Sequence, residues 1–284
     1  ELTEARILII GAEFERHYEA IRDINDNLAF TVRIGEGAFG DAAYDDFLRE
    51  YEGQACGNAD VEHDDPCWFF FTSGTTGKSK AAVLTHGQMG FITTNHLCDL
   101  MPGMDHSTDA SLVVAPLSHG SGIHYLAQLA RGIKTVLPTS SGFDADEIWR
   151  LIETHRVTNL FTVPTIVKML VEDPASERYD HSSLRYIIYA GAPMYRADQK
   201  RALARLGKVL VQYYGLGEVT GNITVLPPRL HSADDDGEFK IGTCGYDRTA
   251  MQVSVQDDEG RELPPHETGE ICVCGLGVFA GYYA

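Results

Sequence analysis

Thr72-Ser73-Gly74-Thr75-Thr76-Gly77-Lys78-Ser79-Lys80 follows directly on the apolar run Cys67-Trp68-Phe69-Phe70-Phe71. The apolar run reads as a buried strand, so the hydroxyl- and glycine-rich stretch reads as a loop leaving a strand end. Gly74 and Gly77 tolerate backbone angles closed to other residues, which lets consecutive amide N–H groups converge on one anion. Hydroxyls and lysines add further donors, and the combination predicts a polyphosphate site. The spacing is not that of a Walker A loop, which needs four residues between its glycines; here Gly74 and Gly77 enclose only two.

Outward from this loop, strand-like and helix-like segments alternate, the pattern of parallel sheets with crossover helices. Strands are expected at Arg6 to Gly11 and Leu28 to Ile34, with a helix over 14–24 between them and a short acidic helix at Tyr44 to Tyr51. Beyond the loop, Ala82-Val83-Leu84 reads as a short strand leading into a helix from His86 to Met101. After Pro102 and Gly103 the alternation resumes, with strands at 111–115, 134–137, 158–163, 184–189 and 209–214 and helices at 122–131, from Asp144, and at 195–206. Asp144 with Glu147 three residues on is an N-capping pattern. The strand 158–163 is expected to stop at Pro164. The acidic stretch His231 to Glu238 reads as a solvated surface loop, and the remainder, with alternating Met251-Gln252-Val253-Ser254-Val255, as antiparallel strands. The predicted class is α/β: two parallel-type sheets with crossover helices, layered αβαβα, and a partial antiparallel β-barrel subdomain at the end. The corresponding domains are 1–101, 109–227 and 239–284.

Composition narrows the function. The 284 residues allow a core burying roughly 73% of the unfolded surface. Acidic residues number 41 against 23 basic, a formal net charge of −18 that repels a long polyanion, so nucleic acid is a poor partner. A small polyphosphate is still admissible, because oriented amides, lysines and a magnesium ion reverse the field over a few ångströms. No apolar run spans a bilayer, and Glu1-Leu2-Thr3-Glu4-Ala5-Arg6 carries no secretion signal. The six cysteines are scattered, as in a protein of the reducing cytoplasm. Cys272 and Cys274 share one face of a strand but lack the two further ligands of a structural metal site.

Four more segments fall at strand ends, where open α/β sheets bind ligands: Pro116-Leu117-Ser118-His119-Gly120, Ala190-Gly191-Ala192-Pro193, Tyr213-Tyr214-Gly215-Leu216-Gly217-Glu218, and Gly269-Glu270-Ile271-Cys272-Val273-Cys274-Gly275 with Gly281-Tyr282-Tyr283. In this order, with the loop at 72–80, they resemble the AMP-forming adenylation superfamily of acyl-CoA synthetases, aryl-CoA ligases, luciferases and peptide-synthetase adenylation domains. The chain looks most like a bacterial fatty-acyl-CoA synthetase.

That resemblance implies an enzyme that joins a carboxylic acid to AMP from ATP and passes the acyl group to coenzyme A. It implies that Thr72, Ser73, Gly74, Thr75, Thr76, Gly77 and Lys80 hold phosphate, that Gly191, Ala192, Pro193, Tyr214 and Gly215 hold the nucleoside, and that Glu218 binds magnesium. His119 is implied to position the acid and gate its pocket, since a carboxylate is already a nucleophile and needs no general base. The chain departs from the family pattern at Ser79 and Ala81, where proline and glycine flank the lysine, and at Gly217, where threonine is usual; Thr220 is a candidate substitute for that hydroxyl. An acyl pocket expected from Val163, Tyr189, Gly191 and Asn222 has no basic residue for a second carboxylate, which favours a fatty or aryl monocarboxylate. The family's ribose-binding aspartate, hinge and C-terminal lid with its catalytic lysine find no counterpart, so the chain is expected to be a fragment of the large N-terminal domain, poorly active alone. Transfer to a carrier-protein thiol, or nucleotide binding without catalysis, are the alternatives.

Overall fold

The computed structural model describes residues 4–72, 79–140, 142–236 and 241–283. Two compact units emerge: Glu1–Glu62, Phe71–Ala81 and Tyr282–Ala284 form the first, His63–Phe70 and Ala82–Gly281 the second. These bounds differ from the sequence-based 1–101, 109–227 and 239–284, chiefly because residues 82–101 cluster with the chain that follows them.

In the first unit, β1 (Ile7–Gly11), α1 (Glu15–Ile24), β2 (Phe30–Ile34), β3 (Ala42–Ala43) and α2 (Tyr44–Glu50) follow in order. The three strands pair in parallel. Tyr18 of α1 packs its ring 4.9 Å from that of Phe39. Next come β4 (Pro66–Thr72) and β5 (Lys80–Thr85), hydrogen-bonded neighbours. Helix α3 (His86–Asp99) starts at a capping box, in which Thr85 Oγ1 accepts from the Gln88 amide and Gln88 Oε1 accepts from the Thr85 amide at 2.8 Å.

The second unit continues with β6 (Ala110–Val113), α4 (Gly120–Ala130), β7 (Lys134–Val136), α5 (Ala145–His155), β8 (Asn159–Thr162), α6 (Pro164–Glu172), β9 (Tyr186–Tyr189), α7 (Arg196–Leu206), β10 (Leu210–Tyr214), β11 (Thr224–Leu226) and β12 (Tyr246–Asp247). The last strands are β13 (Met251–Gln256), β14 (Glu270–Gly275) and β15 (Gly281–Tyr282). Among the described residues, seven strands form one sheet in the order β12-β11-β10-β9-β8-β6-β7. Pairing is parallel from β7 to β10 and antiparallel for β11 and β12, while β13 and β14 make a separate antiparallel pair. The fold is therefore mixed α/β, with parallel and antiparallel sheets.

Alternation along the central strands gives the sheet two buried faces, as parallel sheets require. Leu160, Ile187 and Leu210 point into one core with Trp149 and Ile152 of α5 and Leu170 of α6. Phe161, Ile188, Val211 and Tyr213 point into another, with Leu100, Met101 and Ala127. Asp144 caps α5 by accepting from the Glu147 amide at 3.1 Å, as its spacing predicts. The Glu147 carboxylate does not return the bond; it accepts from the Thr139 amide and hydroxyl and the Ser140 amide. Hydrogen bonds from Ser140 and Thr139 hold it at a pKa of about 2.

Three expectations need correction. Pro164 ends β8 but also begins α6, because a proline at the first helical position lacks only an N–H that would be unpaired there anyway. His231 is not part of a solvated loop: it is 1% exposed, with Nε2 3.1 Å from the Tyr189 hydroxyl and Nδ1 3.1 Å from the Pro227 carbonyl. β11, at Thr224–Leu226, falls where the sequence showed no strand, and β12 of the expected antiparallel region pairs with it as the edge of the large sheet.

Candidate active site

Strands β8, β9 and β10 run side by side in parallel, so their C-terminal ends open on one edge of the sheet. The segments that follow them, together with the 115–121 segment after β6, enclose a cavity of about 430 Å³. That size is ordinary for a small-molecule site. Its walls include Phe70, His119, Phe161, Val163, Gly191 and Tyr213, and its rim carries Gly215, Leu216 and Gly217.

Each wall residue is positioned by local chemistry. His119 is the residue before α4; its carbonyl accepts from the Gly122 amide at 2.8 Å, and its ring meets Phe70 edge-on at 5.4 Å. Gly191, at φ +84°, turns the chain immediately after β9, with the Val163 methyl 3.9 Å from where a Cβ would stand. At Gly215 a Cβ would collide with the Gly221 backbone, so the strand-end turn closes only with glycine there. Thr220, at φ +53°, donates its hydroxyl to the Val219 carbonyl at 2.6 Å. Its proton is thus engaged locally, although the residue borders the cavity.

The sequence-predicted residues fall into separate places. His119, Gly191 and Gly215 border the cavity. Glu218 sits in the single 3-10 turn Gly217–Val219 beside the cavity rim, its carbonyl accepting from the Phe279 amide at 2.7 Å. Tyr214 ends β10 and is 36% exposed. Ala192 is exposed, and Pro193 lines a smaller hollow of about 220 Å³ with Met194, Tyr195 and Arg196. Thr72 ends β4 and Lys80 begins β5, both in the first unit, where Lys80 Nζ stands 5.0 Å from the centre of the Tyr282 ring. Ser73, Gly74, Thr75, Thr76 and Gly77 lie outside the described residues.

Two of the four expected acyl-pocket residues are displaced. Val163 and Gly191 line the cavity, but Tyr189 is fully buried, its hydroxyl donating to Gln212 Oε1 at 3.2 Å. Asn222 is fully buried as well, with both side-chain polar atoms unpartnered. Phe161 and Tyr213 take their place in the wall, stacked at 5.9 Å and 28°. Sequence reasoning missed them, although their period-two offset from Asn159 and Val211 marks the strand faces they occupy.

Behind this aromatic pair lies a buried polar cluster that the sequence did not announce. Arg248 is 1% exposed; its guanidinium stands 5.8 Å from the Tyr213 ring centre, donates to His96 Nδ1 at 3.4 Å and lies 3.7 Å from the Asp99 carboxylate. Its Nε and Nη1 have no hydrogen-bond partner. Burial lowers the Arg248 pKa to about 10, against the opposing effect of Asp99. His96 is pushed well below its ordinary value by burial and then by Arg248. His124, whose Nε2 lies 2.9 Å from Asn159 Oδ1, is pushed down to about 4 by burial. Both imidazoles are neutral at physiological pH. Among the described residues no group of three His, Cys, Asp or Glu side chains could hold a metal ion, and Cys272 and Cys274 face Ser254 and Gln252 across the β13–β14 pair.

A family model described as AMP-binding enzyme matches residues 1–283. The chain is 36% identical over 222 residues to a feruloyl-CoA synthase of an Amycolatopsis species, covering 78% of this chain and 43% of that protein. It is 28% identical over 235 residues to the medium/long-chain-fatty-acid–CoA ligase FadD8 of Mycobacterium tuberculosis, covering 82% of this chain and 39% of the ligase. The matched stretches thus span less than half the length of these relatives. Among solved structures, the inhibitor-bound N-terminal domain of FACL13 from Mycobacterium tuberculosis superposes with a TM-score of 0.82 at 25% identity, covering 99% of this chain and 67% of that one. No helix among the described residues is long and apolar enough to cross a membrane.

Proposed function

Because the chain belongs to the AMP-binding enzyme family, we propose that it carries the acid- and nucleotide-binding part of a ligase that activates a carboxylic acid with ATP and transfers the acyl group to coenzyme A. The acid's carboxylate attacks the α-phosphorus of ATP and pyrophosphate leaves; the coenzyme A thiol then attacks the acyl-adenylate and AMP leaves. The observation that carries this reading is the cavity at the ends of β8, β9 and β10, bordered by His119, Gly191 and Gly215. These three come from three of the motifs that mark the family in sequence, gathered about one hollow.

In this reading His119, its ring set against Phe70, orients the carboxylate. Gly191, Ala192, Pro193 and Tyr214 flank the nucleoside, and Thr72 to Gly77 with Lys80 hold the phosphates. Glu218 is the carboxylate that would hold magnesium. A hard cation of this kind needs only one or two carboxylates alongside the substrate's own phosphate oxygens, so the absence of a larger acidic cluster among the described residues suits it. Bound there, magnesium would neutralise phosphate charge.

Two measurements test the proposal. Calorimetric titration of the chain with ATP should give a binding heat that Lys80→Ala weakens about tenfold, as loss of one charge-assisted contact implies; a flat titration with the unaltered chain defeats the nucleotide reading. Acid-dependent turnover in the protein that contains this chain should release AMP and pyrophosphate. Release of ADP and phosphate would rule out adenylation.

A further inference from the structure

We infer, on the reading just given, that Tyr213 is a specificity-determining residue: its hydroxyl recognises a hydrogen-bonding substituent at the far end of a ring-bearing carboxylic acid, and the locked Phe161–Tyr213 pair bars an extended alkyl chain. The inference rests on what surrounds that ring. Tyr213 is 7% exposed, and it lines the cavity. Its hydroxyl has no hydrogen-bond partner among the described residues, yet it is absent from the buried unpartnered atoms, so it faces open space. That space is the cavity: a Cβ placed on Gly120, another wall residue, would stand 3.4 Å from the hydroxyl.

The ring cannot swing aside. Gly221 abuts one edge so closely that a Cβ there would be 2.7 Å from Tyr213 Cε2, and its φ of +74° suits glycine. Phe161 stacks against the ring at 5.9 Å, His96 meets it edge-on at 6.0 Å and the Arg248 guanidinium stands 5.8 Å away. Phe161 is held in turn, with the His124 ring at 6.1 Å. A wall fixed in this way is a floor and not a gate. Arg248 acts on the ligand only through Tyr213 and is a positioning residue: a cation against the aromatic ring draws electron density from it and strengthens the phenol as a donor. Burial, which Arg248 partly opposes, raises the phenol's pKa to about 12, so it stays protonated throughout the working range.

A fixed neutral O–H set among Phe70, Phe161, Val163 and Ile123, on a lining whose other hydroxyls are those of Ser118, Ser121 and the locally bonded Thr220, pairs with a phenol, ether or carbonyl oxygen and not with a methyl end. Flat aromatic walls favour a ring between the carboxylate and that oxygen. Two acids differing at one position separate these properties: 4-hydroxycinnamate presents the distal oxygen and cinnamate lacks it.

The experiment titrates the intact chain with each acid, with decanoate, and separately with ATP, followed by calorimetry. The unaltered chain should bind 4-hydroxycinnamate about tenfold more tightly than cinnamate, the worth of one hydrogen bond to a neutral donor. Tyr213→Phe keeps the ring and its packing; it should bring the two affinities within about twofold of each other while leaving that for cinnamate unchanged. Ser121→Ala, which removes another hydroxyl from the wall, should leave the preference intact. A preference that survives Tyr213→Phe, one that vanishes with Ser121→Ala, or tighter binding of decanoate than of either cinnamate overturns the inference while an ATP heat keeps the broader reading standing. Absence of any ATP heat overturns that reading itself.

Discussion

On one face of the seven-stranded sheet, Leu112, Leu160, Ile187 and Leu210 pack against Ile148, Trp149, Ile152 and Leu170. On the other, Phe161, Val211 and Tyr213 share their space with His96, His124, Gln128, Asn159 and Arg248, all of them buried. The same strands supply both faces, residue by residue in alternation. The first face is nearly all hydrocarbon, and the indole N–H of Trp149 is satisfied by the Leu170 carbonyl at 3.0 Å. The second face holds four unpartnered atoms on His96, His124 and Arg248 alone, each carrying a desolvation cost. The cavity opens on this second face, so stability is concentrated on one side of the sheet and recognition on the other. Separate substitutions can therefore test each side.

The largest effect is expected on the hydrocarbon face. Trp149 is fully buried, and Trp149→Ala removes its indole from α5 and leaves a void beneath α6. Unfolding in urea should show a loss of about 4 kcal/mol. Affinity for acid should be unchanged in the fraction that remains folded; a loss of affinity as large as the loss of stability would mean that the two faces are not independent.

On the polar face the result depends on which member of an ion pair is removed. Asp99 accepts from the Thr249 amide at 2.8 Å and its hydroxyl at 2.6 Å, and is the carboxylate nearest to Arg248. Asp99→Ala strands a buried guanidinium and should cost about 3 kcal/mol. Arg248→Met removes the buried charge while filling similar space, and should be neutral or stabilising by about 1 kcal/mol. Both are read from the urea midpoint. A loss above about 2 kcal/mol in Arg248→Met would make the cluster a stabilising element and dissolve the contrast between the faces.

How far each face could be read from sequence follows the same division. The hydrocarbon face was legible, because apolar periodicity along α5 (Ile148, Leu151, Ile152) and the apolar strand after it state which side is buried. Asp144 announced its helix by cap chemistry, whereas Pro164, read only as a stop, concealed α6. On the site face His119, Gly191 and Gly215, implied by the resemblance of the strand-end segments, border the cavity. Arg248 was not legible: the polar run Tyr246-Asp247-Arg248-Thr249 carries no local pattern that marks a buried position, and its burial is decided by Asp99 and His96, about 150 positions away in the chain. His231 was misread for the same reason, its partner Tyr189 lying 42 residues earlier. Tyr189, expected in the pocket, was lost to it by the facing of a single residue, which local pattern does not fix when both faces of a strand are buried, and Asn222 was lost in the turn before β11, where its backbone amide donates to the Val219 carbonyl at 2.9 Å.

The smallest effect per residue, and the one that compares the faces most directly, is on pH. His124 and His231 are pushed down to about 4 by burial, and His96 well below its ordinary 6.5, again chiefly by burial. Two belong to the cavity face, while His231 is bonded to Tyr189 of the hydrocarbon core. Well above pH 6.5 each imidazole is neutral both folded and unfolded, so none affects stability. As pH falls from 6.5 towards 4 the unfolded chain takes up protons that the folded chain refuses, and stability is lost. Between pH 7.5 and 5.5 His124 and His231 should each lower the unfolding free energy by about 1.4 kcal/mol, and His96 adds a loss in the same direction. His231→Gln should remove about 1.4 kcal/mol of that loss and His124→Gln as much again, measured by urea unfolding at the two pH values. If His231→Gln alone abolished the dependence, the cavity-face imidazoles would be reaching protons in the folded state. Their cluster would then be wet, and the dry positive backing assigned to Tyr213 would be lost with it.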